Sequence, residues 1–411
     1  MKAREGSCRL AILASHPIQY FTPVYRRLAC VPGLDVEVFY CRDFGARPRY
    51  DQQFDRVVQW DVDQLDGYSH RFLFNASPIS NTFNPLHAIN PGAFPRMLRG
   101  FDALWVNGYL YPSNYLAAIG ASISRTHVLM RSELRADAIR NASVRQSIRD
   151  AVIRRWVASS DALLYIGRRN REAYLAYGAD ESKLFFTPYS VDVEGIAATV
   201  ARAADRAAMR DEWGIPRNDT VVLFVGKLTP RKHPEAMLHL ATECGPNVHV
   251  VLVGSGPLEQ QLRAEVERTG LRSVSFLGFV NQRRIAEAYA LADVFVMPSE
   301  DEPWGLVLNE AMAAGVAPVV CSEVGASADL IQEGETGFTF SNGDWNAMTK
   351  LVRELVGNVE SRAAVGAAAR IVSNRYSYAA TAAGVIDALT SLGVYAAPAP
   401  IATLTPARDR A

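Results

Sequence analysis

The sequence has no excess of charge of either sign, because its 411 residues include 43 Lys plus Arg and 43 Asp plus Glu. Proteins that bind nucleic acid in general usually carry a basic excess, so this balance argues against that class. The chain also lacks the low hydrophobicity of disordered proteins, since 49% of its residues are hydrophobic and only 21% are charged. We therefore expect a globular protein of two or three domains.

Cysteine is scarce, and none of the five cysteines forms a close pair with the spacing of a zinc or redox site. The sequence has no run of the roughly 18 apolar residues that a membrane span requires. Its first apolar run, Leu10 to Ala14, is too short for a signal peptide. We expect reduced thiols and a cytoplasmic protein, with any membrane contact peripheral. Asp61 and Asp63 form an Asp-x-Asp pair, which we interpret as part of a loop, and we expect no metal site.

Two regions alternate apolar strands with helices, a pattern typical of parallel α/β sheets. The first begins with LAILA at Leu10, and the second with TVVLFVG at Thr220. We predict an α/β fold of two Rossmann-like, doubly wound parallel-sheet domains that face a cleft, where ligands lie beyond the carboxyl ends of the strands. The predicted units are an acceptor-side domain (1–198), a donor-binding domain (199–375), a helix at about 376–392 that packs back on the first domain, and a disordered tail (393–411).

The stretch from Val294 to Val320 holds the most informative pattern. A buried strand ends at Pro298, an acidic loop follows, and a helix begins near Gly305. Free N–H groups at a helix start attract anions such as a diphosphate. The groups in question belong to Gly305, Leu306 and Val307. Glu310, one turn on, could accept ribose hydroxyls, and Glu302 would face the sugar; alternatively, two such glutamates only favour the helix dipole.

These residues resemble the donor-binding signature of the family-4 retaining glycosyltransferases, which have the GT-B fold. The signature is a glutamate pair separated by seven residues, with an aromatic-Gly pair between and small residues after. Here it consists of Glu302, Trp304-Gly305, Glu310 and the run AMAAG. The resemblance covers about Val221 to Tyr378, most of the C-terminal half.

A basic loop, which follows the strand ending at Gly226, is the second element. It contains Lys227, Arg231 and Lys232, whose charge could stabilise a departing nucleoside diphosphate. The family has a basic residue, usually Arg, where Lys227 stands, and a Lys where Lys232 stands. Lysine keeps the charge of arginine but loses its bidentate geometry. A solvated basic turn is the alternative interpretation.

Three further positions of the C-terminal half correspond to the family's donor pocket. Gly254 lies in a Gly-Ser-Gly turn that would line the pocket; alternatively, its glycines only allow a tight turn of the backbone. Phe279 and Val280 stand where the family's backbone contacts the base, although Phe279 could equally be core.

The N-terminal half offers fewer signals. His16 follows the first strand and is either a site residue or a loop-capping histidine. Relatives often have a histidine where this chain has Arg131-Ser132-Glu133, so we name Glu133 as a candidate cleft residue instead. Arginines crowd residues 131–155, which predicts either a basic surface for a membrane or phosphorylated carrier, or a merely solvated helix.

The resemblance implies a metal-independent hexosyltransferase that needs no cofactor other than its nucleotide-sugar co-substrate. The donor, with uridine as the expected base, would give its sugar with retention to a hydroxyl of a cell-envelope glycan, a lipid-linked or a small-molecule acceptor. Lys227, Lys232 and Glu302 would be the catalytic residues. The alternatives are a sugar-nucleotide epimerase and a non-catalytic nucleotide-sugar-binding subunit of the same fold.

Overall fold

The computed structural model describes residues 7–79, 84–135, 143–202 and 206–396. The strands of its N-terminal half are β1 (Cys8–Ala14), β2 (Leu34–Tyr40), β3 (Arg49–Asp51), β4 (Arg56–Val58), β5 (Ser69–Phe72), β6 (Ala103–Asn107), β7 (His127–Arg131), β8 (Ala162–Tyr165) and β9 (Leu184–Phe186). The helices of this half are α1 (Thr22–Ala29), α2 (Ala93–Met97), α3 (Pro112–Ser124), α4 (Val144–Ser159), α5 (Arg168–Ala176) and α6 (Val193–Arg202).

The C-terminal half alternates strands and helices more regularly. Its strands are β10 (Thr220–Val225), β11 (Val248–Val253), β12 (Val274–Gly278), β13 (Val294–Met297), β14 (Ala317–Cys321) and β15 (Phe338–Phe340). Its helices are α7 (Arg206–Glu212), α8 (Glu235–Glu243), α9 (Glu259–Thr269), α10 (Gln282–Leu291), α11 (Leu306–Ala313), α12 (Ser327–Leu330), α13 (Trp345–Gly357), α14 (Val359–Ser373) and α15 (Tyr378–Ser391).

Each half forms one parallel sheet, which confirms the predicted fold class. The strand orders are β5-β2-β1-β6-β7-β8-β9 and β12-β11-β10-β13-β14-β15. Every residue of β11, β13 and β14 is buried, as expected for strands covered on both faces. The order reverses between β1 and β6 in one sheet and between β10 and β13 in the other. In such sheets, ligands bind at these switch points.

Two helices, α6 and α15, each pack against the domain on the other side of the sequence boundary. α6 crosses the predicted boundary at residues 198 and 199, but Val193 and Ile196 pack into the C-terminal core. The first domain therefore ends before α6, whose sequence has no proline or polar run to mark a linker. α15 lies against the N-terminal core through Val385 and Leu389. Tyr395, within the predicted disordered tail, is buried and donates to the Pro32 carbonyl at 3.0 Å; residues 397–411 lie outside the described residues.

A small antiparallel hairpin, β3–β4, was not expected from the sequence and belongs to neither sheet. It extends from the N-terminal domain to the C-terminal domain. The Ser255 hydroxyl donates to the Phe54 carbonyl at 2.9 Å, and the Asn281 amide donates to the Gln59 carbonyl at 2.7 Å. Across the described ranges, no helix is both long and apolar enough to cross a membrane.

Candidate active site

A cavity of about 430 Å³ lies between the two domains, where the switch points face each other. It brings together nearly all of the residues that the sequence predicted. The predicted residues that line it are His16, Gly226, Lys227, Arg231, Lys232, Gly254, Phe279, Val280, Glu302, Gly305, Leu306, Val307 and Glu310. Glu133 is the exception among the predicted residues.

The start of α11 forms one wall of the cavity. Gly305 has φ +100°, and a Cβ there would lie 2.8 Å from the Met297 side chain, so only glycine fits. Among the described residues, no side chain caps this helix start, and its first turn has no acidic residue. The first N–H groups of a helix have no partner within the helix. Leu306 and Val307 belong to this first turn, and both residues line the cavity.

Packing behind this turn holds it in place. Trp304 is 4% exposed, and its indole N–H donates to Asn309 at 2.9 Å. The N–H of Gly325 donates to the Glu302 carbonyl at 2.8 Å. Two sides of the loop are thus fixed, so the Glu302 side chain projects from a rigid base.

Lys232 and Glu302 form an ion pair within the cavity wall. Their side chains are 15% and 13% exposed, so water screens the pair only weakly. Arg231 supports the same carboxylate, with its Nη2 at 3.8 Å, and donates through Nη1 to the Asp301 carbonyl at 2.9 Å. The basic loop after β10 and the acidic loop after β13 therefore meet at the switch point.

Lys227 is held by the hairpin of the other domain. Its Nζ donates to the Gln53 side chain at 2.6 Å, lies 3.6 Å from the Asp51 carboxylate and stands 4.5 Å from the centre of the Phe54 ring. Burial lowers the pKa of Lys227, and the neighbouring Asp51 carboxylate acts in the opposite direction. Lys227 is thus a partly desolvated cation that faces the cavity.

Glu310 is a buried carboxylate that accepts two tyrosine hydrogen bonds. Tyr289 donates at 2.7 Å from α10 of the same domain, and Tyr20 donates at 3.1 Å from the N-terminal domain. Burial raises the pKa of Glu310 from 4.5 to about 7, although both hydrogen bonds favour the ionised form. Glu310 is therefore partly ionised at neutral pH. Its carboxylate oxygens already accept two hydroxyl hydrogen bonds and could accept those of a ligand.

An aromatic corner closes the cavity on the hairpin side. The rings of Phe54 and Trp60 lie 5.1 and 5.9 Å from that of Phe279, centre to centre. Phe279 is therefore part of the cavity wall and is not wholly core. Nearby, a Cβ on Gly254 would lie 1.8 Å from the Gly226 carbonyl, so these two turns can approach only with glycine at 254.

His16 lines the cavity and contacts its own loop. Its Nδ1 lies 3.0 Å from the Ser15 hydroxyl, and its ring stacks edge-on against Phe44 at 5.0 Å. Burial, helped by His87 and Arg49, lowers the pKa of His16 to about 4. His16 is accordingly a neutral side chain at physiological pH.

Glu133 lies between the two domains but outside the main cavity. Its side chain accepts from the Tyr189 hydroxyl and lines a second cavity of about 300 Å³. That cavity also contains Glu302 and Trp304, so it adjoins the first one on the far side of the glutamate. Glu133 lies two residues beyond the end of β7 and is exposed, whereas Arg131, the last residue of the strand, is buried.

The described arginines of the stretch 131–155 do not all lie on one surface. Arg131 is buried, donates to the Thr187 carbonyl at 3.2 Å and lies between the rings of Phe21 and Tyr189. Arg135 pairs with Asp301 across the cleft. Arg140 lies outside the described residues. The exposed arginines of the stretch lie on α4; they are Arg145, Arg149, Arg154 and Arg155.

Sequence reasoning missed the contribution of the N-terminal domain. Tyr20 lies in the same loop as His16, but nothing in the sequence around a single tyrosine indicates that it will contact a glutamate 290 residues away. Asp51, Gln53 and Phe54 lie in RYDQQFDRVV, whose two short strands lack a turn signal such as Asn-Gly. The Asp-x-Asp pair is a loop, in which Asp61 accepts from the Arg283 N–H at 3.2 Å.

The fold and the cleft define the class of this chain. Two Rossmann-like domains that enclose a cavity between their switch points are the GT-B architecture, and a solved neighbour agrees. Anabaena HepE, crystallised with UDP, has a TM-score of 0.70 at 17% identity and covers 94% of this chain and 100% of its own. At this identity the likeness shows the fold.

Residues 205–372 match the family described as Glycosyl transferases group 1. The match covers less than half of the chain, all of it in the C-terminal domain or next to it, and it agrees with the resemblance to glycosyltransferases; family 4 in particular stays a prediction. The chain is 30% identical over 238 residues to a D-inositol 3-phosphate glycosyltransferase of Xylanimonas cellulosilytica, covering 56% of this chain and 57% of that one. It is 37% identical over 163 residues to a sulfoquinovosyl transferase of Arabidopsis thaliana, covering 39% and 31%. The chain thus spans about half the length, or less, of these relatives.

Proposed function

We propose that this protein is a retaining glycosyltransferase that uses a nucleoside diphosphate sugar, with uridine as the base. The acceptor is a hydroxyl group of a cell-envelope glycan, a lipid-linked molecule or a small molecule. One observation carries the proposal: the uncapped start of α11, Lys227, Lys232, Glu302 and Glu310 meet in one cavity. Relatives named as glycosyltransferases and the neighbour crystallised with UDP support it.

The donor is bound along the α11 wall in this proposal. Its diphosphate accepts hydrogen bonds from the N–H groups of Leu306 and Val307, with Lys227 and Lys232 as counter-charges. Its ribose hydroxyls donate to Glu310 in place of the Tyr20 hydroxyl. The sugar then faces Glu302, because Glu302 and Glu310 lie on either side of the helix start. The base lies at the aromatic corner near Phe279 and Val280.

The transfer step exchanges one bond at the anomeric carbon. The bond from that carbon to the diphosphate oxygen breaks, and its electron pair leaves with the nucleoside diphosphate. The acceptor oxygen bonds to the carbon on the same face, and its proton passes to a phosphate oxygen of the leaving group. Lys232 and the α11 amides stabilise the charge that develops there, so we propose that no metal ion is needed.

The acceptor enters from the second cavity in this proposal. That space of about 300 Å³ shares Glu302 with the donor cavity, so a hydroxyl in it could approach the sugar held by Glu302. Its lining combines charged side chains such as Arg169 and Asp329 with the ring of Trp304, a mixture that suits a hydroxylated acceptor.

A thermal-shift screen of nucleotide sugars tests the donor site. We expect a UDP-sugar to stabilise the parent protein and Lys350→Ala, whose lysine is exposed on α13. The stabilisation should be lost in Lys232→Ala and Glu310→Ala. If both variants respond to every donor as the parent does, the residue assignment is wrong.

A turnover assay then tests the reaction. Donor consumption should require an acceptor, supplied first as cell-envelope lipid extract, and should continue in the presence of EDTA. Equal consumption without any acceptor would favour the epimerase alternative. Donor binding with no turnover under any acceptor condition would favour a non-catalytic binding subunit.

A further inference from the structure

Two neighbouring helices of the N-terminal domain, α3 and α4, expose a cluster of large apolar side chains. Ile119 and Ile123 on α3 are 53% and 64% exposed, and Val144 and Ile148 on α4 are 80% and 61% exposed. Residues four apart lie on the same helix face, so each pair forms a stripe. Single exposed apolar residues are ordinary, but contiguous patches mark contact sites.

A groove of about 850 Å³ joins the two stripes. Ile119 and Ile148 lie on its two sides, and the buried Trp156 is at its base. Tyr115 also lines the groove and meets the Trp156 ring edge-on at 5.2 Å. We call this the α3–α4 surface, meaning these four residues together with Ile123 and Val144.

The rim of the α3–α4 surface is basic. Arg125 and Arg155 line the same groove, and Arg145 is exposed beside Val144. The acidic side chain in the groove lining, Asp161, is already engaged, because it lies 3.6 Å from His127 and accepts from the Val128 N–H at 2.8 Å. The surface therefore presents apolar side chains surrounded by positive charge.

We propose that the α3–α4 surface docks this protein onto an anionic lipid bilayer. The isoleucines enter the boundary between headgroups and acyl chains, and the arginines meet lipid phosphates, which is the chemistry of interfacial helices. A second copy of the chain is a poorer partner, because a two-fold interface would place the arginines against one another. This inference does not depend on the proposed donor chemistry.

The position of α4 between two strands of the sheet determines how the α3–α4 surface would be oriented on a membrane. α4 connects the parallel strands β7 and β8, so its first residues lie at the edge of the sheet that faces the cleft. Arg149 of α4 donates to the hydroxyl of Tyr109, which follows β6 at this edge, at 3.1 Å. The groove itself extends toward the opposite edge, because its lining includes His127 at the start of β7 and Asp161 just before β8. Docking would therefore lay the side of the N-terminal domain on the bilayer, with only the first turn of α4 near the cleft.

Vesicle sedimentation of the full chain tests the proposal. We expect the parent to sediment with vesicles of phosphatidylglycerol and phosphatidylcholine but not with phosphatidylcholine alone. Ile119→Ser/Ile148→Ser should lower the partition coefficient by about tenfold or more, because two apolar side chains no longer insert. Arg125→Gln/Arg155→Gln should lower it by about tenfold and remove the preference for the anionic lipid.

The matched control is Val359→Ser/Ile371→Ser on α14 of the other domain, where the exposures are 63% and 71%. It should sediment like the parent, and all variants should keep the parent's melting temperature and donor-induced thermal shift. Three results would overturn the proposal: no sedimentation of the parent, an equal loss in the control, or equal binding to neutral vesicles. A change from dimer to monomer in Ile119→Ser/Ile148→Ser, with vesicle binding unchanged, would instead assign the surface to self-association.

Discussion

The C-terminal domain supplies its side of the cleft from a few contiguous segments, whereas the N-terminal domain supplies isolated side chains from distant loops. Lys232, Glu302 and Glu310 come from two loop–helix units beside one switch point. Tyr20 and the hairpin residues around Gln53 come from different loops and reach across to the other domain. The charged side chains of the C-terminal domain thus bind either each other, as Lys232 and Glu302 do, or a side chain of the N-terminal domain.

This difference shows which contacts a sequence can indicate: those formed within one segment, and not those formed between distant segments. A helix start and the spacing of two glutamates fix a geometry within one segment, so the sequence alone indicates it. A contact across the cleft forms only when two domains meet, and no periodicity in either segment records it. The donor site is therefore expected to depend strongly on the C-terminal residues and more weakly on the N-terminal ones.

The largest effect is expected at the pair that joins the two C-terminal loops. Lys232→Ala and Glu302→Gln should each lower kcat by about 10²- to 10³-fold, the usual cost of removing one group that stabilises developing charge. Lys350→Ala serves as the exposed lysine control. Steady-state kinetics with saturating donor provides the measurement, and a loss of less than about threefold in both variants would contradict their catalytic role.

The next effect concerns pH and Glu310. Its folded pKa of about 7 is raised above the ordinary 4.5, so its contribution to stability is complete below about pH 4.5 and is lost as the pH rises through about 7. Glu310→Gln cannot ionise, so it should gain unfolding free energy relative to the parent between about pH 5 and pH 8, by up to about 3 kcal/mol.

Urea unfolding across that pH range measures this gain. A constant difference between Glu310→Gln and the parent would contradict the raised pKa. The comparison between domains is sharpened by Tyr20→Phe and Tyr289→Phe, since each removes one hydrogen bond that favours the ionised carboxylate. Both should move the transition to higher pH.

A smaller effect is expected for the hairpin of the N-terminal domain. Phe54→Ala removes the ring beside the Lys227 ammonium and the edge contact with Phe279. Donor affinity should fall about five- to tenfold, as for the loss of one cation–π contact and one aromatic pair. Tyr50→Ala on the same hairpin is the control, because Tyr50 is 52% exposed. Titration calorimetry should show no change for Tyr50→Ala; equal losses in the two variants would mean that the hairpin acts only through folding.

The smallest effect is expected at Glu133. Because it lines the second cavity, Glu133→Gln should leave donor affinity within about twofold of the parent. A change in acceptor KM with constant donor affinity would place it on the acceptor side. A large loss of donor affinity would contradict its position in the structure.

Most of the sheet architecture could be predicted from the sequence, because buried parallel strands such as β11 and β13 read as apolar runs. The hairpin β3–β4 could not, since half of its strand residues are polar and it packs on another domain. The burial of Arg131 was also hidden, because an arginine followed by polar residues indicates surface, whereas here two rings and two carbonyls enclose it. Sequence position likewise suggested Glu133 for the cleft but gave no sign that it lines the second cavity rather than the first.

A crystal structure with a UDP-sugar bound would show whether the donor lies against the start of α11. We predict that the diphosphate accepts from the N–H groups at the start of α11, with the Lys232 ammonium beside it and the ribose hydroxyls on Glu310. A nucleotide bound elsewhere, or one bound in this cavity with its diphosphate away from α11 and Lys232, would contradict it.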